Sequence, residues 1–254
     1  MMRSLKALED YKVSANDGDI GAVRDFHFDD EHWTVRYLVV DTGGFWAGPS
    51  QVLISPIAFG IVDWSTRKFH LELSREKIEN SPRIGVDTAV TREYERSYFR
   101  YYNWPYYWGY GGVWGDWGYP GVLAASPWSD GDANRVVRES HRISVREIAG
   151  YRIQGSDKEI GHVQDLIVDD DIWAIRYLVV DTRSWWSGKS VILAPHWIER
   201  IDPDKQVVHI NLPQEVIRNS PEWVPDQPVN REYEMRLYDY YGRPAYWPES
   251  KKPG

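Results

Sequence analysis

Two aspartates are the first candidates for chemistry in this sequence. Asp41 and Asp181 each end a repeated apolar stretch, and each is followed by threonine. A carboxylate at this place suits the mouth of a ligand site, but aspartate at a strand end more often forms an Asx turn that accepts backbone N–H groups. Because no paired general acid accompanies either residue, we expect the turn and predict that the chain is not an enzyme.

Two tryptophans accompany these aspartates in both halves of the chain. Trp46 and Trp186 occupy matching places a few residues after Asp41 and Asp181. If the two halves face each other, the four residues would line a cleft between them. Binding sites are concave and carry a few convergent polar groups, so a small-molecule-binding protein is one alternative function.

The acidic turns and the histidines make weaker candidates for metal sites. Asp29-Asp30-Glu31 and Asp169-Asp170-Asp171 are short clusters without glycine, whereas calcium takes about six to eight oxygen ligands. We therefore expect solvated turns. The seven histidines show no His-x-His or His-Glu-x-x-His spacing, and no glycine-rich phosphate loop follows a strand. The sequence predicts no metal and no cofactor.

The aromatic residues form the last candidate site. The chain has 14 Trp and 17 Tyr, and such residues dominate protein-binding hot spots. The candidate interaction residues are Trp104, Tyr106, Tyr107, Trp108, Trp114, Trp117 and Tyr119. Packing within the chain or in a homodimer is the alternative, which we favour because Tyr107 and Trp108 recur as Tyr246 and Trp247. The Gly/Trp run at 109–121 occurs once.

The elements that must position these residues occur twice. Residues 11–48 recur at an offset of 140, and the offset becomes 139 from Pro56 onward. The stretch 36–42 is repeated letter for letter as 176–182. A tandem duplication explains this pattern. We divide the chain into a first copy with its extension (1–108), a Gly/aromatic linker (109–139) and a second copy with its extension (140–254).

Each copy reads as about six short strands followed by two helices. Alternation of side chains predicts a strand at 33–40, and the short connections favour antiparallel neighbours over βαβ units. Ser74, Thr91 and Asn230 are predicted helix N-caps, and Gly242 a C-terminal glycine. Six strands without a long crossover must close into a barrel or leave sheet edges exposed.

The repeated motifs resemble the PRC-barrel domain family. They are Gly-Tyr-x-Ile at 150–153, Ile-Gly-x-Val-x-Asp at 160–165 and Trp-x-x-Arg-Tyr-Leu-Val-Val-Asp-Thr at 173–182, then Asn-Ser-Pro at 219–221. The resemblance covers residues 4–83 and 144–222. Asp10 stands where the second copy has Gly150, and Lys158 stands opposite Gly18. The resemblance implies two tandem small β-barrels, each with short C-terminal helices, and supplies no catalytic residues.

Composition and charge narrow the classes of partner. The net charge is −8, and no basic stripe appears in either half, so we expect no direct contact with nucleic acid. The chain has no cysteine, and no apolar run reaches the roughly 18 residues of a membrane helix. We expect no stable membrane insertion and a cytoplasmic, bacterial protein.

The most consistent function is a non-enzymatic protein-interaction or assembly module. It rests on the resemblance, the aromatic surplus and the lack of a catalytic constellation. The family also includes the cytoplasmic domain of the photosynthetic reaction centre H subunit and the C-terminal domain of a ribosome maturation factor. A ribosome/RNA-assembly or photosynthetic-complex accessory role is thus an alternative by family analogy.

Overall fold

The computed structural model describes residues 1–44, 50–83, 90–108, 112–116, 118–125, 141–182, 189–225 and 227–247. Contacts between residues divide the chain into two compact units. Unit 1 consists of Met1 with residues 3–148 and 166–176, and unit 2 of Met2 with residues 149–165 and those from 177 onward. The predicted boundaries follow the repeat in sequence, whereas the units follow contacts and assign 166–176 of the second copy to unit 1.

Seven strands precede the first helix: β1 (Met2–Ser4), β2 (Lys12–Ala15), β3 (Gly18–Asp29), β4 (Thr34–Asp41), β5 (Gln51–Ile54), β6 (Phe59–Asp63) and β7 (Lys68–Leu71). Six of them pair in the order β6-β7-β2-β3-β4-β5. Consecutive strands are antiparallel, as predicted, but β2 and β7 run parallel. The prediction applied to strands joined by short connections, and β2 and β7 are distant along the chain, so a short connection does not constrain their direction.

Two helices follow, α1 (Arg75–Glu79) and α2 (Arg92–Tyr102). The predicted caps are confirmed: Ser74 accepts the N–H of Lys77, and Thr91 accepts the N–H of Tyr94. The linker then contributes β8 (Val113–Asp116) and α3 (Pro120–Ala124). The second copy begins with β9 (Arg142–Ser144), which pairs antiparallel with β3. A short helix, α4 (Val145–Ile148), completes this part of unit 1.

The second copy repeats the pattern with β10 (Arg152–Gln154), β11 (Glu159–Asp169), β12 (Ala174–Asp181), β13 (Ser190–Leu193), β14 (Ile198–Asp202), β15 (Val207–Ile210), α5 (Gln214–Arg218) and α6 (Arg231–Tyr241). As β2 and β7 do in the first copy, β10 and β15 run parallel. Asn230 caps α6 through the N–H of Tyr233, and Gly242 ends it in the left-handed region, as predicted. Among the described residues, no helix combines the length and the apolar composition needed to cross a bilayer.

The mainly β class is confirmed, and within unit 1 the described strands form a mixed sheet whose pairing stays open between β5 and β6. A 3-10 turn at Pro56–Ala58 separates these two strands. The hydroxyl of Tyr98 on α2 lies at that break, where it accepts the N–H of Ser55 and donates to the carbonyl of Leu53, both at 3.1 Å. The helix therefore satisfies backbone groups that a closing strand would otherwise pair.

The buried face of α2 combines aromatic side chains with a charged one. Tyr101 is only partly buried, and its hydroxyl donates to the carbonyl of Lys77. The buried residues of the helix are Glu95, Tyr98, Phe99 and Tyr102. A charged residue thus belongs to the packed face, which a search for apolar spacing alone does not find.

Candidate functional site

A buried carboxylate, Glu95, is the centre of a polar cluster in unit 1. It lies in the first turn of α2 and is 0% exposed. Its Oε1 accepts the hydroxyls of Tyr37 at 3.1 Å and Tyr107 at 2.7 Å, and its Oε2 accepts Arg92 Nη1 at 2.6 Å. Tyr37 comes from the middle of β4, and Tyr107 from the segment after α2. The cluster therefore ties the helix and its extension to the sheet.

Arg142 on β9 supplies the main countercharge to Glu95. Its Nη2 lies 2.8 Å from both carboxylate oxygens, and only 2% of its side chain is exposed. Burial by itself lowers the pKa of a guanidinium, but the phenol of Tyr107 and the Glu95 carboxylate outweigh burial and raise the pKa of Arg142. Arg142 is therefore cationic, and its contact with Glu95 anchors the strand that follows the linker.

The two phenols of this cluster act as hydrogen-bond donors. Burial raises the pKa of Tyr37 and of Tyr107, and the neighbouring Glu95 charge raises both further. Both hydroxyls stay protonated at neutral pH, with Glu95 as their common acceptor. The two hydrogen bonds join β4 and the segment after α2 to the helix, as a structural anchor would.

A second buried ion pair lies beside the first and contradicts the solvated-turn prediction for Asp29. Asp29 and its partner Arg36 are each 1% exposed. Arg36 stacks between aromatic rings, 3.8 Å from the centroid of Tyr107 and 4.8 Å from that of Trp114. Burial raises the pKa of Asp29, but Arg36 and His32 more than offset it and leave that pKa well below the usual range. Asp29 pairs with Arg36 on the next strand, because the rings over Arg36 exclude water from the pair.

The second copy repeats this centre in a more exposed form. Glu234 on α6 accepts the hydroxyls of Tyr177 at 2.7 Å and Tyr246 at 2.8 Å. Its cation is Arg231, which is 51% exposed, at 2.9 Å. By the repeat offset of 140, the position of Arg142 is taken by Met2 in the other copy. The repeated Arg-Glu-Tyr-Glu motif therefore encodes the anchor, and in the part of the chain that the structure describes unit 1 adds Arg142 as a buried second cation.

The candidate interaction residues of the aromatic extension are mostly buried. The exposed fractions are 6% for Trp104, 0% for Tyr106, 4% for Tyr107, 4% for Trp108 and 0% for Trp114. Trp114 also donates its Nε1 hydrogen to the carbonyl of Ile172, 2.6 Å away, within unit 1. Tyr119 is 55% exposed, and Trp117 lies outside the described residues. Burial of the first five supports packing within the chain, the alternative favoured from the sequence.

Asp41 forms the Asx turn expected from the sequence, since its Oδ1 accepts the N–H of Gly43 at 2.8 Å. It also lines a surface groove of about 490 Å³ in unit 1, together with Lys12, Arg24 and Asp19. Asp181 is 6% exposed in unit 2. Trp46 and Trp186 lie outside the described residues, so a cleft formed by all four residues stays a prediction.

The repeated Ile-Gly pair explains how these aspartates are positioned. Gly21 has φ +153°, and a Cβ there would lie 2.0 Å from the carbonyl oxygen of Asp41. Gly161 has the same relation to Asp181 at 2.1 Å. Only glycine permits the two strands to approach so closely.

The second acidic turn shows the clustering that suggested calcium. Carboxylate oxygens of Asp169, Asp170 and Asp171 all lie within 4.8 Å of one another. Arg3 already donates its Nε hydrogen to Asp170 at 2.6 Å. Protein cations therefore compensate part of this charge, and the turn is explained without a metal.

Sequence reasoning missed an exposed apolar groove of about 660 Å³ at the edge of unit 1. Its lining residues are Ile61, Val62, Asp63, Trp64, Ser65, His70 and Glu72. β6 is the last strand in the sheet order, and Ile61 on it is 77% exposed. The signal that could have found this groove is the comparison of the copies, because Arg200 stands at the position of Ile61 in the second copy.

Comparison with known protein families gives a match within the second copy. Residues 140–217 match the model of the PRC-barrel domain family. The chain is also similar to an uncharacterized protein of Deinococcus radiodurans, with 33% identity over 101 residues. That match covers 40% of this chain and 35% of the relative, so it spans about a third of the relative's length.

Proposed function

We propose that this chain, whose residues 140–217 match the PRC-barrel domain family, is a non-enzymatic module that binds another protein through the edge of its first copy. The observation that carries the proposal is the exposed Ile61 on the terminal strand β6. A sheet edge offers unpaired backbone groups, and proteins that avoid association protect such edges with charge. The second copy has Arg200 at this position and the first copy does not.

The proposal includes the tandem architecture. We interpret residues 1–108 as a first PRC-type copy, because the Arg-Tyr-Leu-Val-Val-Asp-Thr stretch and the helix caps recur in both copies. We further interpret both sheets as the small barrels of that family. The parallel pairing of β2 with β7 and of β10 with β15 supports a common fold.

The buried charged groups support a non-enzymatic role. Glu95 and Asp29, which would be the natural candidates for acid–base work, are held by Arg142 and Arg36 and covered by aromatic rings. A general base must reach a substrate proton, whereas these carboxylates hold the sheet and helix together. Their burial is best explained by stability of unit 1.

A second candidate function is binding of a small polar molecule at the groove beside Asp41. The groove of about 490 Å³ brings two cations, Lys12 and Arg24, near the carboxylates of Asp19 and Asp41. Such mixed charge suits a zwitterionic ligand. Binding that Asp41→Asn abolishes and Asp181→Asn leaves unchanged would favour this candidate. The ribosome/RNA and photosynthetic alternatives rest on family analogy, and salt-sensitive RNA binding would revive the former.

Site-specific cross-linking tests the proposed function. A photo-reactive amino acid replaces Ile61 in one variant and Arg200 in a matched control, each expressed in the native host. We expect a discrete adduct with another protein from position 61 and none from position 200, and addition of Ile61→Arg protein as a competitor should not reduce the adduct. An adduct formed only within the chain, or equal adducts from both positions, would contradict the proposal.

A further inference from the structure

The groove at β6 joins an open strand edge to an apolar surface. β6 pairs with β7 on one side, with a register shift between Phe59 and Val62, and among the described strands none pairs with it on the other. Ile61, Val62 and Trp64 supply the apolar lining. An extended peptide can pair its backbone with such an edge and place side chains in the adjoining groove.

The two carboxylates that line this groove, Asp63 and Glu72, form no ion pair among the described residues. Asp63 accepts the N–H and hydroxyl of Ser65, and these bonds help to keep the pKa of its carboxyl below the usual range. Glu72 has no ion pair in the described part of the chain, and its Oε1 would lie 2.5 Å from a Cβ built on Gly60. Both carboxylates therefore stand beside β6.

The cations nearest the groove among the described residues are already paired, Lys68 opposite Asp63 with Asp19 and Arg3 with Asp170. The guanidinium carbon of Arg3 lies 3.5 Å from the centroid of the Trp64 ring, and its Nε donates to Asp170. The unpaired charge that a ligand would meet at β6 is thus negative.

The equivalent edge of the second copy, β14, has charged residues in place of Gly60 and Ile61 and a paired carboxylate in place of Asp63. Glu199 and Arg200 replace Gly60 and Ile61, and Asn211 replaces Glu72. Asp202, the counterpart of Asp63, pairs with Lys205 at 3.0 Å. The two copies share one fold, so the differences at this edge change what it can bind without changing the sheet.

The geometry points to β6 as a strand-addition site for an extended segment of another protein, in which apolar residues are interspersed with lysine or arginine. The inference rests on the proposed function and names its partner's chemistry. The apolar residues would cover Ile61 and Trp64, and the cations would pair with Asp63 and Glu72. A second copy of this chain is the poorer occupant, because it would bring its own Asp63 and Glu72 to the same edge and like charges repel.

Peptide binding to the full chain tests the inference. The probe is a peptide of about seven alternating lysine and valine residues, the length of an ordinary strand, with a fluorescent label for anisotropy. The comparison peptides carry glutamate or serine in place of lysine. We expect the lysine peptide to bind, the serine peptide to bind about tenfold more weakly, and the glutamate peptide not to bind.

Variants assign the binding to β6. Ile61→Arg copies the second copy's residue and should weaken binding by more than about tenfold. The double variant Asp63→Asn/Glu72→Gln should weaken binding of the lysine peptide about five- to tenfold and leave the serine peptide unchanged. Arg200→Ser is the matched control and should change nothing. Circular dichroism and the urea midpoint establish that each variant is folded.

The outcomes separate this inference from the proposed function. Equal binding of the lysine and glutamate peptides would overturn the partner's chemistry while a cross-link from position 61 still supports protein binding. No peptide binding, or binding that Ile61→Arg leaves intact, would overturn the strand-addition site. A dimer in light scattering that Ile61→Arg dissociates would show that the second copy occupies the edge, which would also overturn the inference.

Discussion

The substitution Glu95→Gln tests the buried anchor of unit 1. It removes the negative charge but keeps the shape of the side chain, so Arg142 retains its positive charge at 2% exposure with one partner neutralised. Breaking a buried pair in this way costs about 3–5 kcal/mol. That is a large share of the roughly 5–15 kcal/mol by which a domain is stable.

The equivalent substitution in the second copy supplies a matched control. Glu234→Gln leaves Arg231 without its partner, but water reaches that side chain because it is 51% exposed. The loss is then confined to hydrogen bonds from Tyr177 and Tyr246, about 1–2 kcal/mol. The two identical chemical changes should therefore differ by about 2–3 kcal/mol.

Urea unfolding followed by tryptophan fluorescence measures both effects as a change in the free energy of unfolding. Adding Arg142→Met to Glu95→Gln should recover most of the loss, because replacing both members of a buried pair by neutral groups is often close to neutral. Methionine is also the residue that the other copy carries there. Equal losses for Glu95→Gln and Glu234→Gln, or no recovery in the double variant, would refute the reasoning.

Three further experiments, with five substitutions between them, test separate parts of the account. Burial lowers the pKa of His27, with the help of Arg142 and against the charges of Asp25 and Glu147. The unfolded chain therefore binds the proton more tightly, and the free energy of unfolding should fall as the pH drops below the unfolded pKa of about 6.5. The variant His27→Ile, which introduces the residue type of the second copy, should reduce this dependence on pH. Gly21→Ala should cost at least about 2 kcal/mol because the new Cβ meets the Asp41 carbonyl, while Gly43→Ala, with open space around it, should cost about 1 kcal/mol in the same urea assay. Trp114→Ala should lower the free energy of unfolding by about 3–5 kcal/mol, since the ring is fully buried. Tyr119→Ala should change it by no more than about 0.5 kcal/mol, because Tyr119 is exposed. A small effect of Trp114→Ala would return that residue to the candidates for partner binding.

Much of the local structure could be predicted from the sequence. The caps at Ser74, Thr91 and Asn230 and the terminal Gly242 each follow from a side chain or a backbone conformation that acts within one turn. The repeat also located the strands, because the same alternation occurs at two places. Effects of this kind depend on neighbours along the chain, which the sequence shows directly.

The features that the sequence did not predict depend on contacts between residues that are distant along the chain. Arg36 looks like the polar member of an alternating strand, yet it is 1% exposed because Tyr107 and Trp114 cover it. Glu95 resembles an ordinary first-turn glutamate, yet its carboxylate collects partners from β4, β9 and the extension after α2. The parallel pairing of β2 with β7 and the exposed edge of β6 likewise follow from the order of strands in the sheet, which no local pattern contains.

Hydrogen–deuterium exchange with the lysine–valine peptide tests the central claim most directly. Strand addition would pair backbone N–H groups on the open side of β6, so amides in Phe59–Asp63 should exchange more slowly when the peptide is bound, while those of β14, Ile198–Asp202, should be unchanged. Slower exchange at β14 as well, or unchanged exchange at β6 in the presence of saturating peptide, would contradict the account.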